Sequence, residues 1–164
     1  MIKRLFLTLC FSFCLLQLSA QDNSLESLWN EMAFGVRSSC LVGTQYSFDR
    51  EGKRFDQTIF NSKSWKTFLT YDKEITTKFL VTKLNDTTIT KVHVCPFNGA
   101  TNGELAVYGL QQLHQFNWYD FPIFNQYKER EITSATDNAQ AWLRNILADD
   151  KKRNVLKELF LQKL

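Results

Sequence analysis

Chemically reactive side chains are scarce in this sequence. It holds two histidines, His93 and His114, four cysteines and six glycines among 164 residues. A serine or cysteine nucleophile could draw its base only from those two imidazoles, and there is no G-x-S-x-G elbow. Glycine-rich phosphate loops are missing, which removes the usual nucleotide-binding grammar. The familiar zinc spacings of Cys and His are missing too. Beyond residue 20 no apolar run reaches the roughly 20 residues that a spanning helix needs. No internal repeat or low-complexity tract stands out.

The first 20 residues read as a secretory signal peptide. Lys3 and Arg4 form a positive start, Leu5 to Leu18 an apolar stretch, and Ser19-Ala20 a small-residue cleavage site. Cys10 and Cys14 lie inside the apolar stretch, preceded by Leu9 and Phe13, where a lipidation site would want a small residue. The expectation is therefore an exported, periplasmic or extracellular protein with no stable membrane anchor after cleavage. Loss of Lys3 and Arg4 lowers the formal charge from +3 to +1. So small an excess offers no electrostatic hold on nucleic acid, whose binding rests on phosphate neutralisation.

Residues 21–164 have the length of one ordinary domain. Two cysteines remain, Cys40 and Cys95. In an oxidising compartment an even pair reads first as a disulfide. Closing so long a loop would stabilise by about 4 kcal/mol in the chain-entropy model.

Helical periodicity is the main structural signal. Asn23 and Glu26 form a capping-box pattern, and Leu25, Leu28, Trp29, Met32, Ala33 and Val36 follow helical spacing, with Gly35 or Gly43 as the stop. If the helix runs to Gly43, Cys40 continues its buried stripe. Glu51-Gly52 suggests a turn in a loop or short hairpin. Asn61 to Ser64 offer caps for a short helix with Trp65, Phe68 and Leu69 on one face. Residues 74–84 suit a helix and 88–95 an extended segment, although a hairpin turning at Asn85-Asp86 competes. Pro96 and Asn98-Gly99 mark a loop.

Thr101 and Glu104 then form a second capping box, and the helix after it is apolar over a wide arc: Leu105, Ala106, Val107, Tyr108, Leu110 and Leu113. Phe116, Trp118, Tyr119, Phe121, Phe124 and Tyr127 crowd around Pro122, which stops any helix passing through. Two apolar stripes out of phase, Ala139 to Leu147 and Val155 to Leu164, predict two helices with a break near Asp149-Asp150. The expected class is mainly α, a single compact multi-helix domain with room for one short β-hairpin or extended link.

The central run "DTTITKVHVCPFNGATNGELAVYGLQ", residues 86–111, resembles a pattern in small exported bacterial proteins of uncharacterised function. There a helix, an extended link containing Asp-Thr and a helix opening on Gly and an acidic residue follow in order. The resemblance covers about a third of the exported chain. It implies a mostly helical domain and a bacterial origin, and it implies no activity, cofactor or catalytic residue.

The candidate sites divide into two groups. Trp118, Tyr119 and Tyr127 could contact a ligand or partner, a protein or a glycan, or else cover the core between helices. His93, Cys95, Glu104 and His114 are the alternative, a small hydrolase or metal-dependent enzyme; His93 and Cys95 would share a face if extended, and imidazole and thiolate suit zinc or copper. Lys151-Lys152-Arg153 reads as a solvated first turn, since Asp149 and Asp150 sit beside it. Asn85-Asp86-Thr87 matches a glycosylation sequon, relevant in a eukaryotic host. The leading expectation is a non-catalytic binding or structural module with no cofactor and no metal. Mass spectrometry tests the thiol side of this reading. Denatured exported protein should take up no alkylating agent until reduced, and then take up two groups; uptake of two groups without reduction removes the disulfide.

Overall fold

The computed structural model describes residues 24–35, 39–41, 46–48, 54–56, 58–94, 98–134 and 136–164. The fold is mainly α. Helix α1 spans residues 24–34, followed by the short strands β1 (Ser39–Cys40), β2 (Tyr46–Phe48) and β3 (Arg54–Asp56). Helices α2 (Lys63–Phe68) and α3 (Lys73–Thr82) lead to β4 (Ile89–Val94) and β5 (Asn98–Thr101). Helix α4 (Asn102–His114) comes next, then two 3-10 turns, Trp118–Asp120 and Pro122–Tyr127, and finally α5 (Ala139–Ala148) and α6 (Asp150–Leu161). Strand β4 sits between β1, which runs parallel to it, and β5, which runs antiparallel. Strands β2 and β3 pair antiparallel as a separate two-stranded ribbon.

Each boundary has a local cause. Helix α1 stops at Gly35, the earlier of its two expected stops: a Cβ there would collide with the Glu31 carbonyl oxygen. Cys40 therefore lies on a strand and not on a continued helical stripe. The expected N-cap Asn23 falls outside the described residues. Helix α2 is capped by Ser62, whose hydroxyl accepts from the Trp65 amide at 3.0 Å. It ends at Phe68, so Leu69 does not join the buried face and is 41% exposed. Asp72 caps α3 through the amides of Glu74 and Ile75. Residues 74–94 thus resolve as helix followed by strand, against the competing hairpin, and Cys95 lies outside the described residues.

Asn98-Gly99 is a correction. The pair opens strand β5, with Gly99 opposite His93 and Asn98 opposite Val94, because pairing along β4 outweighs its turn preference; Pro96 lies outside the described residues. The β4–β5 register slips between Ile89 and His93. There the Thr90 hydroxyl donates to the Ala100 carbonyl at 2.9 Å and accepts from the Val92 amide at 3.1 Å, replacing lost ladder bonds.

Helix α4 is the centre of the molecule. From Asn102 to Gln111 it is buried all round except at Tyr108, which is half-buried. It packs on α3, α5 and both β4 and β5. Trp29, Trp65, Phe68 and Phe79 form a connected ring cluster, with Trp65 and Phe68 stacked at 5.4 Å and Trp29 edge-on to Phe79 at 6.1 Å. From α5, Trp142, Leu143, Ile146 and Leu147 close the opposite side. The break between α5 and α6 falls at Asp149, whose carboxylate accepts from the amides of Lys151 and Lys152. Val155 and Leu164, expected on a buried stripe of α6, are exposed; Leu156 and Phe160 carry the burial. Arg153 is not fully solvated, since its Nη1 donates to the Leu147 carbonyl at 2.7 Å at the end of α5.

Gly103 marks the closest approach of two backbones. A Cβ built there would lie 2.6 Å from the Leu84 carbonyl oxygen. Gly103→Ala should lower the unfolding free energy by about 1–3 kcal/mol, the usual cost of overpacking, measured by urea denaturation. An unchanged midpoint would mean that the turn at Leu84 can move aside freely.

Candidate functional site

Glu104 and His114, two of the side chains proposed for metal or hydrolytic chemistry, lie at opposite ends of α4. Strand β4 buries Thr90, Val92 and Val94 and turns Ile89, Lys91 and His93 outward, so His93 is exposed. Glu104 sits in the first turn of α4 and His114 in the last. Ten residues at 1.5 Å each separate them by about 15 Å along the axis. Cys95 lies outside the described residues, and with it the Cys40–Cys95 pairing; Cys40 itself is buried, opposite His93 across β1 and β4. Among the described residues no group of three His, Cys, Asp or Glu side chains is placed to hold a metal ion.

Glu104 is committed elsewhere. It is 1% exposed, and its Oε2 accepts from the Thr101 amide at 2.7 Å, completing the capping box. Arg144 on α5 clamps the same carboxylate with two bonds, Nε to Oε1 at 3.0 Å and Nη2 to Oε2 at 2.9 Å. The Glu104 carboxylate raises the Arg144 pKa. The carboxylate is buried while the Arg144 side chain is 44% exposed, so solvent screens part of the pair, and removing Arg144 leaves the Glu104 charge desolvated. Sequence reasoning found the capping role of Glu104 and missed Arg144, which looks like any other polar position on an amphipathic helix.

His114 has a structural setting of its own. The Thr77 hydroxyl donates to the Lys73 carbonyl at 2.8 Å and lies 2.8 Å from His114 Nε2. A hydroxyl has a single hydrogen, so with that hydrogen on the Lys73 carbonyl it is Nε2 of the imidazole that donates. Burial, then Lys73 and Lys163, push its pKa down to about 4. Lys163 Nζ stands 3.6 Å from the Phe116 ring centroid, and Phe160 lies 6.2 Å from the imidazole, so three elements meet here.

The aromatic segment 116–127 is built from the two 3-10 turns. Asn117 opens the first, its amide and side-chain nitrogen both donating to Asp120. Pro122 opens the second, where a missing amide hydrogen costs nothing. Trp118 is fully buried and touches Tyr119, Phe124 and Tyr127 at ring distances of 5.3, 6.2 and 5.4 Å. Of the three proposed contact residues, Trp118 is therefore core, and Tyr119 and Tyr127 are half-buried around it. Outside them lies an open cleft of about 630 Å³ lined by Asp120, Asn125, Gln126, Lys128, Glu129 and Arg130. Lys128 pairs with Asp120 at 2.8 Å and holds that carboxyl below its ordinary range. Ile123 and Ile132, in the same stretch of chain, are 55% and 65% exposed.

No family model, no curated protein and no solved structure matches the chain.

His114 provides a pH test of this geometry. Its ordinary pKa of 6.5 applies in the unfolded chain and about 4 in the folded one. The unfolded state thus binds the extra proton between those values. The stabilising contribution of neutral His114 is complete above pH 6.5, declines as the pH falls through 6.5 and levels off below about 4. Wild type should lose more stability than His114→Gln between pH 7.5 and 4.5 by thermal denaturation, roughly as linkage requires. Parallel curves for the two proteins would contradict the depressed pKa.

Proposed function

We propose that the protein is exported and acts as a non-catalytic binding module, engaging a polypeptide partner through the face built on residues 119–132. Export rests on the leader pattern of residues 1–20, and a Cys40–Cys95 disulfide belongs to the same reading. The observation that carries the binding role is that one stretch of chain, residues 119–132, holds both a mixed-charge cleft and two exposed isoleucines, Ile123 and Ile132. Interfaces combine apolar contacts with a polar rim in this way. The first part of the segment is anchored: Trp118 and Phe124 root residues 118–127 in the core, so little conformational entropy is lost there on binding. Tyr119 and Tyr127, partly open beside polar amides, suit a glycan as the second kind of occupant.

Size-exclusion chromatography of the protein in its native exported fraction tests this. Wild type should elute in an assembly larger than the free chain, and an Ile123→Glu/Ile132→Glu variant should elute as the free chain. Wild type running as the free chain, or a variant that keeps the assembly, overturns the reading. Dissociation of the assembly by an added neutral oligosaccharide would assign the face to a glycan.

A further inference from the structure

We propose that Trp142 and Asp137 form a guanidinium-binding site that Arg130 fills from within the chain, and that an arginine side chain of the polypeptide partner displaces it. The inference rests on the binding role just proposed and names what regulates that face.

The site contains the two features that guanidinium recognition calls for, an aromatic face and a fixed carboxylate. Arg130 Cζ lies 4.6 Å from the Trp142 ring centroid, and Arg130 Nη2 donates to Asp137 Oδ1 at 2.8 Å. The carboxylate is held in place before any guanidinium arrives. Trp142 Nε1 donates to Asp137 Oδ1 and the Thr133 hydroxyl to Oδ2 at 2.7 Å. Those bonds and the Arg130 charge keep Asp137 ionised to well below the ordinary carboxylate range. Tyr127 packs against the Trp142 ring at 5.7 Å and fixes the indole. The aromatic wall, by contrast with its occupant, belongs to the core: Trp142 is buried on α5.

The occupant is the replaceable part. Arg130 is 46% exposed, and residues 128–134 are all exposed. The hydrogen bonds described for residues 130–134 run to the corner 136–138, chiefly to Asp137 itself. An exposed ion pair of this type is weak in water, so it holds the strap without locking it. Arg130 also lines the open cleft, which places the site at the edge of the proposed partner face. When Arg130 swings out, the indole face and the Asp137 carboxylate are left pointing at the incoming chain. A guanidinium fits better than an ammonium here, because it is planar and can stack and donate at once.

Arg130→Ala opens the site, and a Gly-Arg-Gly peptide probes it, read from the Trp142 indole N–H resonance. The variant should bind the peptide at a concentration at least about tenfold lower than wild type, whose own arginine competes at a high effective concentration. A Gly-Lys-Gly peptide should bind more weakly than Gly-Arg-Gly. Adding Asp137→Asn to the variant should abolish the shift. Arg130→Gln, which keeps a planar amide over the ring without charge, guards against collapse of the strap and should also bind the arginine peptide more tightly than wild type. If both opened variants retain the helical circular dichroism of wild type and neither binds, the inference is overturned. It is overturned equally if the Asp137→Asn change leaves binding intact. Failure of the peptide experiments with a persistent larger assembly would sink this site alone; peptide binding by a protein that forms no assembly would sink the partner reading instead.

Discussion

Helix α4 begins inside the protein, and the amides of its first turn have no preceding turn to satisfy them. A helix start exposed to solvent can leave that task to water; this one cannot. The Asn102 amide donates to the Thr88 carbonyl at 2.9 Å, the Gly103 amide to the Asp86 carbonyl at 3.0 Å, and the Glu104 amide to the Thr101 hydroxyl at 3.1 Å. The turn between α3 and β4 is therefore part of the cap of a helix that starts 14 residues later. Gly103 has no side chain because that turn's backbone occupies the space.

The same requirement reaches the rest of the fold. Asn102, buried in the first turn, accepts from Trp29 Nε1 on α1 at 3.0 Å and donates to the Asp86 carboxylate at 2.8 Å. Burial pushes the Asp86 pKa up, but bonds from Thr88 and then from the Asn102 side chain hold it below the ordinary carboxylate range. Lys83, at the end of α3, pairs with Glu26 of α1 at 2.7 Å over the same junction. Glu104 completes the cap and draws Arg144, and with it α5, onto the opposite side. One buried helix start thus orders α1, the α3–β4 turn, β5 and α5. The chain leaves α4 at Gln115 with a left-handed backbone, φ 53°, and runs on into the segment that carries the candidate binding face.

This arrangement gives Glu104 and His114 structural roles. Glu104, a plausible acid or ligand when read beside two histidines and a cysteine, is a cap and a clamp. His114 is a donor to Thr77, kept neutral by burial and two lysines. In the aromatic segment, Trp118 is fully covered, while Tyr119 and Tyr127 retain open edges. Burial separates residues that share a segment and a chemistry, and spacing along a 3-10 turn gives no periodic signal by which to sort them in advance.

The sequence alone carries what depends on neighbours a few residues apart. It specified the mainly helical class, the capping box of Thr101 and Glu104, the wide apolar arc of α4, the break at Asp149 and the stop at Pro122. Local hydrogen bonds and 3.6-residue spacing decide all of these. Tertiary structure alone decided the partners drawn from distant segments: Arg144 for Glu104, Trp29 for Asn102, Thr77 for His114, Asp137 and Trp142 around Arg130. It also turned Asn98-Gly99 into a strand, since a pairing edge on β4 outweighs the turn preference of that dipeptide. A charged or polar residue carries no mark of which distant group will meet it. Such contacts are set by how the apolar faces pack, and packing belongs to the whole chain at once.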